Sequence, residues 1–229
     1  TAGSQQALDL AARVLLDPGD EVWVEDPGFP GLRGVLLGND VRMIDVRVDD
    51  DGMCVEEARA RAPGARAAFV TPSNHMPLGV ALSLPRRLAL LEWAAGANAW
   101  IVEDDYASEL RYAAHPLAAL QSIDLDGRVV YCGTFSKALL PALRIGYLVV
   151  PTSLVRAFAV GRTYMDYHSP YLEQATLAAF IREGHFDRHV RRMRVVYGER
   201  QQRLLDALRR RLGGRITVRE ADAGLVYVT

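Results

Sequence analysis

Apolar positions along this chain follow two spacings that take turns. Between residues 5 and 16 they fall at Leu8, Ala11, Ala12 and Leu15, the one-sided stripe of a helix, and Asp17-Pro18-Gly19-Asp20 ends it. EVWVE (21–25) alternates as a strand does. The same reading predicts a short helix over 28–38, a strand in VRMIDV (41–46) and a buried strand in ARAAFVT (65–71) that runs into a proline. A helix is predicted over 85–97, with Pro85 in its first turn. AWIVEDD (99–105), RVVYCGT (128–134) and GYLVVP (146–151) read as further strands. From residue 151 onward helix dominates, with periodic segments over 170–182 and 186–211 broken at Gly184-His185. Strands alternating with helices in this way predict an α/β domain, a mostly parallel sheet with helices on both faces.

Composition changes this picture little. Half of the 229 residues are apolar, enough for a large core, and the formal net charge is −1. Neither a basic nucleic-acid surface nor an acidic tail is expected from that balance. No apolar run is long enough to cross a bilayer. The opening TAGSQQALDL carries no charged segment followed by an apolar one, so no signal peptide is read there and a cytoplasmic location is expected. Cys54 and Cys132 lie far apart and fit no metal spacing; they read as buried thiols. His185 and His189 are four apart with no third ligand near, and His115 and His168 stand alone, so no metal site is expected. The basic run RHVRRMR reads as a solvated or dimer-contacting helix face. The chain opens on a helix and stops at GLVYVT, which reads as mid-strand, so a piece of a longer protein is expected.

In open α/β sheets ligands sit outside the carboxyl ends of the strands. Four such ends carry polar or reactive side chains: VEDP, VTPSNH, VEDDYASE and YCGTFSK. Gly3-Ser4-Gln5 opens the first helix, where free N–H groups and a hydroxyl suit a phosphate, although a plain serine N-cap explains that stretch as well. Arg144 could clamp the same phosphate, and Thr134 and Ser136 could add hydroxyl donors. Asp104 ends a very apolar strand, where a carboxylate is costly unless it faces a cation such as a protonated pyridine nitrogen. Lys137, the sole lysine of the chain, supplies an amine able to form a Schiff base with an aldehyde. Phosphate, pyridinium and aldehyde together describe pyridoxal 5'-phosphate (PLP).

The stretches GSQQAL, EDPGFPG, TPSNHMPLG, EDDYASELRY and GTFSKALLPALRIGY resemble the class I/II aminotransferase family, of the aspartate aminotransferase fold. FIREGHFDRHVRRMRVVYGERQQRLLDAL (180–208) is similar to the MocR subgroup, GntR-type transcription regulators that carry an aminotransferase-like domain. The resemblance implies a three-layer α/β/α fold around a mixed, mainly parallel sheet of about seven strands, the PLP-dependent transferase large domain, with GYLVVP as an antiparallel member. It implies Lys137 as the covalent anchor of the cofactor, Asp104 on the pyridine nitrogen, Tyr106 on the phenolic oxygen O3' and Phe29 stacked on the ring. Ser4, Gln5, Thr134, Ser136 and Arg144 would hold the phosphate. Glu103 and Asp105 would be turn or structural acids. One departure stands out. Family members usually place Asn directly before a Pro-Thr-Gly, and here that position is Met76, with Leu78 in place of the Thr. The subgroup commonly shows His-Gln-aromatic there, against Asn74-His75-Met76. The ring-facing contact is left to Asn74, to His75 or to neither, with Asn74 the first candidate.

Two functions follow from the resemblance. One is transamination between an amino acid and a 2-oxo acid. The other is a PLP-dependent ligand sensor inside a MocR-type regulator, with DNA contacted only through a domain absent from this chain. Residues 1–214 are expected to form the PLP-binding large domain and 215–229 to begin a small C-terminal domain. The family's substrate-carboxylate arginine would lie beyond them. A homodimer is expected for the complete protein.

Overall fold

Side chains alternate across each strand, and here both sides of the strands are apolar, so both faces of the sheet must be covered. In the computed structural model α1 (Ser4–Leu15) leads into β1 (Glu21–Asp26), α2 (Pro30–Gly38), β2 (Arg42–Asp49) and β3 (Gly52–Met53). Then come α3 (Val55–Arg61), β4 (Ala67–Val70), α4 (Leu84–Gly96), β5 (Trp100–Asp105), α5 (Leu120–Ile123), β6 (Val129–Thr134) and β7 (Gly146–Val149). Three helices follow: α6 (Val155–Asp166), α7 (Tyr171–Arg182) and α8 (His185–Leu212). The structure describes residues 1–111, 117–213 and 215–216. His115 and nearly all of the expected small-domain segment therefore lie outside the described residues.

The described strands form one sheet in the order β3-β2-β1-β4-β5-β6-β7. β1, β2, β4, β5 and β6 run parallel, while β3 and β7 pair antiparallel at the two edges, β7 as the resemblance implies. Trp23, Ile101 and Val129 point to one face and pack with α3, α4 and α5 through Val55, Ala58, Leu90 and Leu120. Their neighbours Val22, Val24, Val102 and Val130 point to the other, where Leu8, Ala11, Leu36 and Phe158 of α1, α2 and α6 cover them. This is the three-layer α/β/α arrangement. Trp23 stacks on Trp93 of α4 with ring centroids 3.7 Å apart. Their indole N–H groups donate to Ala62 O (2.9 Å) and Pro63 O (3.1 Å), so neither is buried unpaired. Among the described residues no helix is long and apolar enough to cross a membrane.

Most predicted boundaries move by a residue or two, and three elements were absent from the pattern. β3 is a two-residue strand, and α3 and α5 have seven and four residues, too few to show a helical period. α2 begins at Pro30 rather than residue 28. Gly28 instead turns so tightly under the end of β1 that a Cβ there would lie 2.3 Å from Glu25 O. The break before α8 centres on Gly184, whose φ of 73° suits glycine.

The chain passes from β1 outward to β2, then returns to β4 on the other side of β1. The strand order reverses there, which opens a crevice at the carboxyl ends of β1 and β4.

Candidate functional site

A pocket of about 330 Å3 lies over these strand ends. Phe29 enters from the turn after β1, where it precedes Pro30, and Met76 from the loop after β4. Asp104 and Tyr106 come from the end of β5, Thr134, Ser136 and Lys137 from the end of β6 and its turn, and Arg144 from the approach to β7. Ser4 and Gln5 of α1 complete the wall.

One side of the pocket is built for an anion. Gly3 precedes α1 with φ 91°, and no side chain caps the helix, so Ser4 is not its N-cap. The first-turn N–H groups and the positive end of the helix face the site. Thr1 and Gly146 exchange N–H···O bonds of 2.9 Å, which fastens the start of the chain to β7. Gly146 has to be glycine here, since a Cβ would lie 2.9 Å from Gly133 O. Arg144 adopts a left-handed backbone (φ 50°, ψ 41°), a cost on the order of 1 kcal/mol for a residue with a Cβ. That conformation brings its guanidinium over Gly3, where it donates to Ala2 O at 2.7 Å. Beside it the Ser136 N–H donates to Thr134 Oγ1 at 3.2 Å, and the two hydroxyls lie 3.1 Å apart. Helix end, guanidinium and two hydroxyls thus converge on one wall.

The end of β5 is acidic and buried. Three consecutive acids end β5, and pleating separates their tasks. Glu103 accepts from Leu120 N and Gln121 N at 3.0 Å each, capping α5. Asp105 accepts from Ser108 N (3.1 Å) and the Tyr131 hydroxyl (2.9 Å). Asp104 lines the pocket, and its Oδ1 is buried without a hydrogen-bond partner. Burial, with Asp105 beside it, pushes the Asp104 carboxyl up to about 7. A carboxyl so placed calls for a cation or a proton. Lys137 faces the same pocket and makes no hydrogen bond or ion pair among the described residues. Arg87 of α4, buried behind these acids, is occupied by backbone carbonyls, donating to Leu82 O at 2.8 Å and Pro72 O at 2.7 Å.

Of the cofactor-binding residues expected from the sequence, all but Asn74 line the pocket. Asn74 lies behind Tyr106 and donates from Nδ2 to its hydroxyl at 2.8 Å. It therefore reaches the site through Tyr106, whose hydroxyl burial holds protonated. His75 turns away: it is 1% exposed, its Nδ1 accepts from Leu78 N at 3.3 Å, and its Nε2 stands 3.5 Å from Glu25 Oε2. Met76 itself borders the pocket. The pattern did not reveal that Glu25, Thr71 and His75 meet behind Asp104. The signal was the acid in VEDP, which reads as a simple turn until β1 and β4 are known to be neighbours. Among the described residues no group of His, Cys, Asp and Glu is placed to hold a metal.

Over 226 residues the chain is 43% identical to a probable rhizopine catabolism regulatory protein, MocR, of Rhizobium meliloti, covering 99% of this chain and 45% of that one. Among solved structures it superposes on Pyrococcus horikoshii kynurenine aminotransferase in complex with PMP at TM-score 0.92 and 32% identity, covering 98% of this chain and 57% of that one. It also matches LysN, the alpha-aminoadipate aminotransferase of Thermus thermophilus, complexed with N-(5'-phosphopyridoxyl)-L-leucine. There the TM-score is 0.90 and the identity 30%, over 98% of this chain and 59% of that one. The chain thus spans about half the length of the curated relatives it matches. The profile of aminotransferase class I and II covers residues 1–229, and the chain belongs to that family.

Proposed function

We propose that the pocket binds pyridoxal 5'-phosphate and that the complete protein uses it on amino acids, exchanging the amino group with a 2-oxo acid. One observation carries the reading. The only lysine of the chain, a buried carboxyl without a partner and an arginine at a helix N-terminus line one pocket sized for a small ligand. The residues fit the three chemical ends of the cofactor. Lys137 is the amine available to hold the aldehyde carbon covalently. Asp104 offers the carboxylate that keeps a ring nitrogen protonated, and Tyr106, oriented by Asn74, donates toward the ring oxygen. Phe29 supplies an aromatic face. Ser4, Gln5, Thr134, Ser136 and Arg144 take the phosphate. When bound, the cofactor supplies the electron sink that makes an amino acid Cα–H acidic. Lys137, released from the cofactor by substrate, is then the base placed to move that proton.

The 43% identity to a regulatory protein favours a second use of the same residues. In that reading amino-acid binding at the pocket shifts a DNA-binding domain outside this chain, with little or no turnover. In either use we expect the complete protein to act as a homodimer. Exposed Tyr164, Tyr167, Tyr171 and Leu172 on α6, α7 and the turn between them supply apolar surface for such a contact.

The test uses the full-length protein, freed of cofactor, titrated with PLP and then with amino acids. PLP binding with release of a 2-oxo acid supports transamination. A spectral change without 2-oxo acid, accompanied by altered DNA affinity, supports the sensor. Failure to bind PLP overturns both.

A further inference from the structure

β1 ends in a second buried carboxyl, which the cofactor reading leaves without a task. Glu25 is 7% exposed and forms no ion pair with a lysine or arginine among the described residues. Its Oε2 accepts two hydrogen bonds, from the Thr71 hydroxyl at 2.6 Å and the Thr71 N–H at 3.1 Å, and His75 Nε2 stands 3.5 Å from it. Because His75 Nδ1 accepts from Leu78 N, the neutral ring carries its proton on Nε2, which stands 3.5 Å from that oxygen without a hydrogen bond to it. Burial pushes His75 down to about 4, so the neutral ring is the form present near pH 7.

An oxygen that takes these donors is the poorer site for a proton. A proton on Glu25 therefore sits on Oε1, which accepts no hydrogen bond among the described residues. Glu25 and Asp104 border one small cavity of about 10 Å3. Asp104 Oδ1 is enclosed and unpartnered. One carboxyl has an unused oxygen, the other an unpartnered one, and both carboxyls border the same cavity.

We propose that Glu25 is a positioning residue for Asp104: its Oε1–H donates a hydrogen bond across the shared cavity to Asp104 Oδ1 and leaves Oδ2 for the ligand. A neutral donor on one oxygen favours the ionised form of Asp104, whereas a second anion there would oppose it. Burial raises both carboxyls, Glu25 and Asp104, to about 7, so each holds a proton more readily than an exposed acid. The other ionisable groups around the pair do not replace it. Asp105 and Glu103 are bonded elsewhere, and Cys132 on β6 is kept protonated by burial. Arg33 of α2 is engaged by Asp45 at 2.6 Å. Tyr106 is held by Asn74, and Lys137 lies in the open pocket.

The inference rests on the reading of Asp104 as the partner of the PLP ring nitrogen, and the experiment separates the two. PLP affinity is measured by equilibrium dialysis on full-length wild type, Glu25→Gln and Glu25→Leu over a pH series, with thermal stability recorded in parallel. Glutamine keeps an oxygen for Thr71 and turns an NH2 toward Asp104. It should bind PLP within about threefold of wild type, while leucine, which leaves Asp104 without a donor, should lose about tenfold or more. In wild type, affinity should also fall on the alkaline side as Glu25 loses its proton and faces Asp104 as an anion. Glu25→Gln should lack that component. Glutamine as weak as leucine, or an alkaline limb identical in wild type and Glu25→Gln, overturns the proposal. The second comparison decides it alone if the leucine variant does not fold. Absence of PLP binding by wild type removes the reading of the pocket, and this inference with it.

Discussion

Asp104 and Asp105 are the same side chain one residue apart, yet the pleat of β5 gives them different surroundings. Asp105 is bonded to Tyr131 and Ser108, and Asp104 faces the pocket with an idle oxygen. In the full-length protein Asp104→Asn should still hold PLP through Lys137 but slow the single-turnover spectral change with an amino acid by about a hundredfold or more. Asp105→Asn should do far less; the reverse ranking would shift the assignment by one residue. The buried acids also set a pH dependence in the cofactor-free protein. Asp104 is raised from 3.8 to about 7, and Glu25 and Glu103 from 4.5 to about 7. The folded state therefore binds more protons than the unfolded state between about pH 4 and 7, and stability should fall as pH rises through that window. Asp104→Asn should flatten this slope in denaturant titrations; a slope equal to wild type would show that Asp104 ionises freely in the fold. The sequence revealed the residue types of the site because the sheet rule places ligands at strand ends. It hid the meeting of Glu25 with His75, which depends on β1 lying beside β4.

Elements hold these side chains by a few backbone-directed contacts. Arg87, buried at the start of α4, donates to the carbonyls of Pro72, Leu82 and Ala118, so it joins the loops before α4 and α5 to the one after β4. Arg87→Ala leaves those carbonyls and the nearby acids uncompensated and should cost about 3–5 kcal/mol in urea unfolding. A loss below about 1 kcal/mol would mean that water replaces the guanidinium without penalty. Gly133 lies opposite Tyr147 across β6 and β7, and a Cβ there would sit 2.3 Å from the Tyr147 ring. Gly133→Ala should displace that ring and cost about 1–3 kcal/mol, with weaker PLP binding because the turn to Lys137 starts one residue later. Long elements such as α1, α4 and α8 were legible because they run for several turns with a consistent apolar face. α3 and β3 were not, because seven and two residues carry too little periodicity.

For the whole molecule, the class of fold followed from strands alternating with helices and the antiparallel β7 from the family resemblance, while the antiparallel β3 edge and the order of strands came only from the structure. The pattern says which residues are apolar, but nothing in it orders β1 between β2 and β4. That order places the crevice, and the crevice turns separated motifs into one pocket. The choice between transamination and sensing lies above this scale, in what the rest of the protein does with a bound amino acid. Both uses share one requirement, that PLP is held through Lys137. The direct measurement is borohydride reduction of the PLP-loaded full-length protein, followed by mass mapping of its peptides. The account predicts a phosphopyridoxyl mass on the peptide containing Lys137 and its loss in Lys137→Ala. A label on a different peptide, or none in wild type, would contradict it.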